Sequence, residues 1–181
     1  AYLRVGGSEA DKVRYAIEPN AVVTSSGSQP DLPLGAGPTL AAPASSVLTA
    51  ERWDAVHRFA VAAGLDVVMT LNAGPSARDG SGAWRPETAA PLLAYTRARG
   101  HRVSIWELGN ELNLFWYVHG LSAVVDPAQY ARDLAALREL VARLDPGAAV
   151  AGQGAAFGPV LGEPLGLFFG FQRAYAERSG A

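Results

Sequence analysis

The sequence predicts an α/β fold built on parallel strands, and three observations predict it. Short runs rich in Val, Leu and Ile alternate with longer segments of helical period, the order expected when each strand is followed by a helix that packs back on the sheet. Gly, Pro and Asp stand where one kind of segment gives way to the other. The chain of 181 residues, 49% of them hydrophobic, suffices for one ordinary domain with a substantial core.

Tyr2 to Val5 is the first strand, and it runs straight into Gly6-Gly7-Ser8. Glu18 to Ser46, crowded with Pro, Gly and Ser, is too long for an ordinary connection within a compact domain and reads as a functional or a mobile loop. The first helix begins near Thr49, turns Trp53, Val56, Ala60 and Ala63 to one face, and stops at Gly64. Leu65 to Leu71 is the second strand, with Asn72 at its carboxyl end and a Gly-rich loop through Trp84. Pro86 suits the first turn of the next helix, Leu92 and Leu93 face inwards, and Gly100 closes it as a C-cap.

Val103 to Leu108 is the third strand. Asp126-Pro127 is a strong helix start, an N-cap followed by a residue with no N–H to satisfy; Leu134, Leu137, Val141 and Leu144 make the buried stripe, and Asp145-Pro146-Gly147 ends it. Ala148 to Ala151 is a short fourth strand with Gly152-Gln153-Gly154 as its loop, and Leu165 to Arg178 is a last helical segment.

Four such βα units make half of a (β/α)8 TIM barrel, and an open half barrel exposes two strand edges and the apolar faces under its helices. Residues 1–181 are therefore expected to form an incomplete catalytic barrel, strands 2 to 5 of eight, truncated at both ends, with the remaining strands supplied by the missing part of the chain or by another polypeptide. The other architecture is an open doubly wound sheet, which could stand alone at this size. Its three-glycine phosphate fingerprint is absent from the first βα turn.

Fifteen Lys and Arg against 17 Asp and Glu, with no long run of either sign, give no electrostatic reason to expect nucleic acid or an anionic membrane. The absence of cysteine rules out disulfides and thiolate metal sites but suits reducing and oxidising compartments alike. Ala1 to Gly7 has neither the charged nor the apolar region of a signal peptide, so the localisation stays open, secreted and periplasmic sites included. No apolar stretch approaches the roughly 20 residues that cross a bilayer. His57, His101 and His119 are scattered, without a second His at metal-ligand spacing, so neither a metal nor any other cofactor is expected.

The chemistry concentrates at Trp106-Glu107-Leu108-Gly109-Asn110-Glu111, an apolar run that ends in an amide and a carboxylate side by side. Polar groups at the carboxyl end of a barrel strand are placed for chemistry rather than stability. Glycoside hydrolysis needs one carboxylic acid to protonate the leaving oxygen and a second carboxyl group as nucleophile or base. Glu111 suits the first task, and Asn110 suits a hydrogen bond to the sugar 2-hydroxyl that strengthens in the transition state. By itself an Asn-Glu pair equally suits a turn cap.

The segment resembles the heparanase and β-glucuronidase-like family of retaining glycoside hydrolases, in which Trp-Glu-Leu-Gly-Asn-Glu carries the acid/base Glu. Two further blocks agree in order and spacing: Tyr2 to Ser8 is similar to that family's Tyr-Leu-Arg-hydrophobic-Gly-Gly-Thr strand, and Gly64 to Ala73 to its next strand. The likeness runs from Ala1 to about Leu144. It implies Glu111 as general acid/base, Asn110 as the amide beside it, and Ser8, next to Gly7, where the family places a Thr facing the sugar. Leu112 stands where Pro is common, and only Glu18 to Ser46 stands where the animal heparanases carry a long processed linker.

The family's nucleophilic Glu lies on a later strand in a Gly-Glu-Thr/Ser setting, and nothing after Gly154 matches it; Glu163 and Glu177 come too early. This stretch alone is therefore expected to be inactive. Glu107 lies inside the third strand and reads as a hydrogen-bonded barrel residue, since two carboxylates on one strand make poor opposed flanks for a reaction that separates them by about 5 to 5.5 Å. Trp84, Trp116 and Tyr117 fall in loops and could be sugar platforms or pack under their own loops, and Asn72 could line the pocket or end its strand.

The reading is a retaining glycosidase cleaving β-linked uronic acid glycosides, its partner an oligosaccharide or glycoside. Its alternatives are a non-catalytic carbohydrate-binding barrel and a barrel glycosidase for a neutral β-glycoside.

Overall fold

In the computed structural model, residues 1–17, 46–152 and 154–156 are described. The core is a four-stranded parallel sheet of β1 (Tyr2–Val5), β4 (Asp66–Leu71), β5 (Val103–Leu108) and β6 (Ala149–Ala151), in that spatial order. Each strand lies beside its predecessor in this series and the same way round, so all four carboxyl ends reach one edge. The expected strands agree with the observed ones to within one residue.

β2 (Val13–Ala16) and β3 (Ser46–Thr49) form a separate two-stranded parallel sheet that the sequence reading lacks. Each is only four residues long, and their pairing joins residues far apart in the chain, which no local pattern can announce. The rest of the expected long loop, the expected helix at Leu165 to Arg178, Gln153, Glu163 and Glu177 lie outside the described residues.

Helix α1 (Ala50–Ala63) starts where Thr49 accepts the Arg52 N–H and ends at Gly64, which adopts the left-handed conformation that favours glycine. Its buried stripe is Trp53, His57 and Ala60. That corrects the expected one, because Ala63 lies on the exposed side and His57 takes an inward position. Pro86 opens a single 3₁₀ turn rather than helix α2, which spans Ala90–Ala98 and buries Leu92 and Leu93 as expected. The short α3 (Phe115–Val118) follows β5, then α4 (Pro127–Leu144), whose N-cap Asp126 accepts the N–H groups of Ala128 and Gln129. No helix among the described residues is long and apolar enough to cross a membrane.

The sheet has two unlike faces because side chains alternate along a strand. Met69 and Leu71 on β4, paired with Trp106 and Leu108 on β5, face the helical layer and are buried with Leu92, Leu93, Leu134 and Leu137. Burial of each such side chain is worth about 1.5–3 kcal/mol, so this face holds the fold together. The opposite face carries Arg4, Thr70 and Glu107, where a hydrogen-bonded polar cluster takes the place of a second apolar core.

Candidate active site at the carboxyl end of the sheet

The register that pairs Thr70 with Glu107 brings the two side chains together on the polar face, and Arg4 of β1 reaches across. Thr70 donates its hydroxyl to Glu107 Oε2 at 2.5 Å, and Arg4 donates Nε to the same oxygen at 2.9 Å. Glu107 is thus a bonded strut of the sheet, in line with its position inside the strand. Gly6 is required beside it, because a Cβ there would collide with the Thr70 side chain. Arg4 also donates Nη2 to Asn110 Oδ1 at 3.0 Å.

That last bond sets the chemistry of Asn110. Arginine has donors only, so the amide oxygen must face it and the Asn110 NH₂ is turned the other way. Among the described residues nothing accepts from that NH₂, while the side chain is otherwise buried. A donor held ready in this way suits a ligand hydroxyl.

Glu111 follows with φ 51° and ψ 46°. Among the described residues it is the one non-glycine with a left-handed backbone, a conformation that costs an L-residue with a Cβ roughly 1–3 kcal/mol and gathers at functional sites. Three neighbouring bonds hold it: Asn110 N–H donates to Asp11 Oδ2 at 3.0 Å, Glu111 N–H to the Gly154 carbonyl at 2.8 Å, and Leu114 N–H to the Glu111 carbonyl at 2.8 Å. The result lifts the side chain out of the strand's alternation. Glu111 is half-buried and shares a shallow depression with Ser8, Asp11, Asn110, Phe115 and His119.

Ser8 and Asn110 are therefore brought to Glu111, and Gly7, at φ 103°, makes the turn that delivers Ser8. Asn72 and Trp84 are not, which corrects their expected role as substrate contacts. Asn72 Nδ2 donates to the Val13 carbonyl of β2 and to Ser76 Oγ while its Oδ1 accepts the Gly74 N–H, so every polar atom of the amide is consumed within the protein. Trp84 is 4% exposed, and its indole N–H donates to the Asn72 carbonyl. The loop between them is held by a buried ion pair, Arg78 to Asp133 at 2.6 Å. Trp116 is half-buried on α3 outside the depression, and Tyr117 beside it is exposed.

The sequence reading missed Asp11, Arg4, Thr70 and His119. Arg4 carried a signal, a cation between Leu3 and Val5 in an otherwise apolar strand; Asp11 carried none. Asp11 is 2% exposed, and burial pushes its carboxyl up to about 7 against the opposing pull of the Ala73 and Asn110 N–H groups and Arg78, with Glu107 adding to the rise. Burial holds His119 below the usual imidazole range, Lys12 adding to the effect and Glu9 opposing it. Among the described residues no three His, Asp or Glu side chains are grouped to hold a metal.

A family model described as glycosyl hydrolase family 79, N-terminal domain, matches residues 1–160. Heparanase of Mus musculus is 33% identical over 131 residues, 70% of this chain and 22% of that protein. Heparanase-like protein 3 of Arabidopsis thaliana is 32% identical over 148 residues, 78% of this chain and 26% of that protein. Inactive heparanase-2 of Homo sapiens is 30% identical over 131 residues, 70% of this chain and 21% of that protein. The chain thus spans between about a fifth and a quarter of the length of the curated relatives it matches. It belongs to glycosyl hydrolase family 79.

Proposed function

From membership of this family we propose that the chain supplies the acid/base half of a (β/α)8 barrel in a retaining glycoside hydrolase that cleaves β-linked uronic acid glycosides. Glu111 protonates the glycosidic oxygen as the bond breaks and then removes a proton from the water that hydrolyses the glycosyl-enzyme. Asn110 donates its NH₂ to the sugar 2-hydroxyl, and Ser8 offers a hydroxyl on the same side. The nucleophilic carboxylate belongs to sequence outside these 181 residues, so this stretch alone is inactive. The observation that carries the reading is the left-handed Glu111 at the strand end, beside an amide whose donor side Arg4 turns towards a ligand.

A second reading is a carbohydrate-binding barrel without turnover. It is favoured by the likeness to a relative named inactive heparanase-2. One experiment separates the readings: the full-length protein is assayed on aryl β-glucuronide, aryl β-glucoside and heparan-type oligosaccharides, each beside Glu111→Gln. The expected result is turnover of a uronide, falling about 10²–10⁴-fold in the variant when the leaving group needs protonation. Turnover of the glucoside alone moves the substrate to a neutral sugar, binding without turnover by the wild type favours the binder, and a fully active Glu111→Gln overturns the role of Glu111.

A further inference from the structure

We propose that Asp11 is the positioning residue of the acid-bearing turn: one buried carboxylate that ties the end of β4 to the end of β5 and so aims Glu111. The proposal rests on the reading of Glu111 as general acid. Asp11 lies in the turn Ala10–Lys12 after β1, among the least exposed side chains of the protein, yet it borders the depression that holds Glu111. Its two oxygens are divided between two strands. Oδ1 accepts the Ala73 N–H at 2.9 Å and Oδ2 the Asn110 N–H at 3.0 Å.

The surroundings are shaped for that contact. A Cβ on Gly74 would collide with the Asp11 carbonyl, and one on Gly109 would crowd Leu112 and Ala73 and come within 3.5 Å of Asp11 Oδ1. Gly74 thus lets the backbone of the Asp11 turn close on the end of β4, and Gly109 lets Leu112 and Ala73 pack against the end of β5, which brings both strand ends to the carboxylate. A left-handed Glu persists only where its neighbours over-determine it, and Asp11 fixes the residue immediately before Glu111. Arg4 fixes the same residue's side chain, so Asn110 is gripped at both its N–H and its amide oxygen. Loss of the Asp11 anchor leaves the turn free to relax towards ordinary φ, which carries the Glu111 carboxyl away from the leaving oxygen.

The clamp is complete only when Asp11 is ionised. A charged carboxylate accepts both N–H groups, whereas its acid form points an O–H at one of them. Arg78 faces Asp11 from the β4 loop and Glu107 from β5; Tyr15 lies on β2, Lys12 adjoins it and His119 shares the depression. Burial outweighs the favourable partners and brings the titration up to about 7, within reach of ordinary solution conditions.

The test has two arms on the full-length protein. In the first, asparagine-selective ¹⁵N labelling follows the Asn110 backbone amide, identified by its loss in Asn110→Ala, against pH. The expected result is an Asn110 amide resonance displaced in Asp11→Asn, with a wild-type pH midpoint near 7 that the variant lacks; a resonance left at the wild-type position in Asp11→Asn overturns the proposal. In the second, Asp11→Asn and Asp11→Ala are assayed on the glycoside the wild type cleaves. The expected result is kcat roughly 10- to 100-fold lower with KM little changed, Ala being worse than Asn because Asn keeps one acceptor. Unchanged kcat overturns it, as does a loss confined to KM. If the wild type cleaves no glycoside, the reading of Glu111 fails while the amide arm still decides whether Asp11 holds the turn.

Discussion

Two asparagines end two adjacent strands, Asn72 after β4 and Asn110 after β5, and their surroundings differ in how much of each amide is already used. Around Asn72 the oxygen bonds within the loop and the NH₂ bonds to β2, Trp84 closes over the backbone, and the Arg78–Asp133 pair locks the assembly. Around Asn110 the oxygen alone is held, by Arg4, and the next residue sits in a strained backbone conformation. The first turn is satisfied within the protein, and under the proposed function the second keeps a donor for the sugar. Residue type is shared, but Leu71 pairs with Leu108, so Asn72 follows its strand directly while Asn110 stands one residue further out; that offset and the number of partners separate the roles.

The largest test of that contrast exchanges the same substitution between the two sites. Asn110→Ala is expected to lower kcat about 10²-fold on a cleaved glycoside, the scale of losing one donor aimed at a transition state. Its stability should change by about 1 kcal/mol or less, since one part-exposed bond is lost. Asn72→Ala is expected to do the reverse, costing about 1–3 kcal/mol in denaturant unfolding because buried partners are orphaned, with kcat little changed under conditions where it is folded. Equal losses of kcat at both sites would erase the distinction.

A smaller effect isolates the strain. Glu111→Gly removes the Cβ that disfavours the left-handed backbone, so it is expected to raise stability by about 1 kcal/mol while abolishing turnover. A variant no more stable than the wild type would show that the turn is relaxed as it stands.

The smallest effect contrasts the site with the helical layer through pH. Burial raises Asp11 from 3.8 to about 7, so the folded chain keeps a proton that the unfolded chain has lost; this contribution is full below 3.8 and is lost as pH climbs to about 7. Burial, aided by the stacked His101 and opposed by Asp54, lowers His57 from 6.5 to about 4; its contribution is full above 6.5 and is lost as pH falls to about 4. Between about 4 and 6.5 the two slopes oppose each other. Thermal unfolding should therefore rise with pH more steeply in Asp11→Asn than in the wild type and less steeply in His57→Phe, where His119, also lowered by burial, still adds a rising slope. Curves parallel to the wild type would refute the assignment.

Much of the fold was legible because it is local. Thr49 and Gly64, Asp126 and Pro127, and the apolar strand runs announce their elements within a few residues of chain. β2 and β3 were not, since neither has enough length for a period and each is stabilised by a partner distant in the chain. The inward place of His57 on α1 is not legible, because a polar residue on an apolar stripe looks like a break in it. The order of Asn110 and Glu111 after an apolar strand pointed to the site without revealing what holds it.

By itself, then, the sequence determined where strands and helices begin and end, that the strands run parallel, and which residues bring an acid and an amide to one strand end. Those are consequences of neighbours along the chain. Tertiary structure alone decided that Asn72 and Trp84 are spent on partners within the protein, that Arg4 turns the Asn110 amide, and that Asp11 bridges two strands beside a left-handed Glu111. Hydrogen-bond partners are chosen by proximity in space, and the residues that choose for Asn110 come from about a hundred positions earlier.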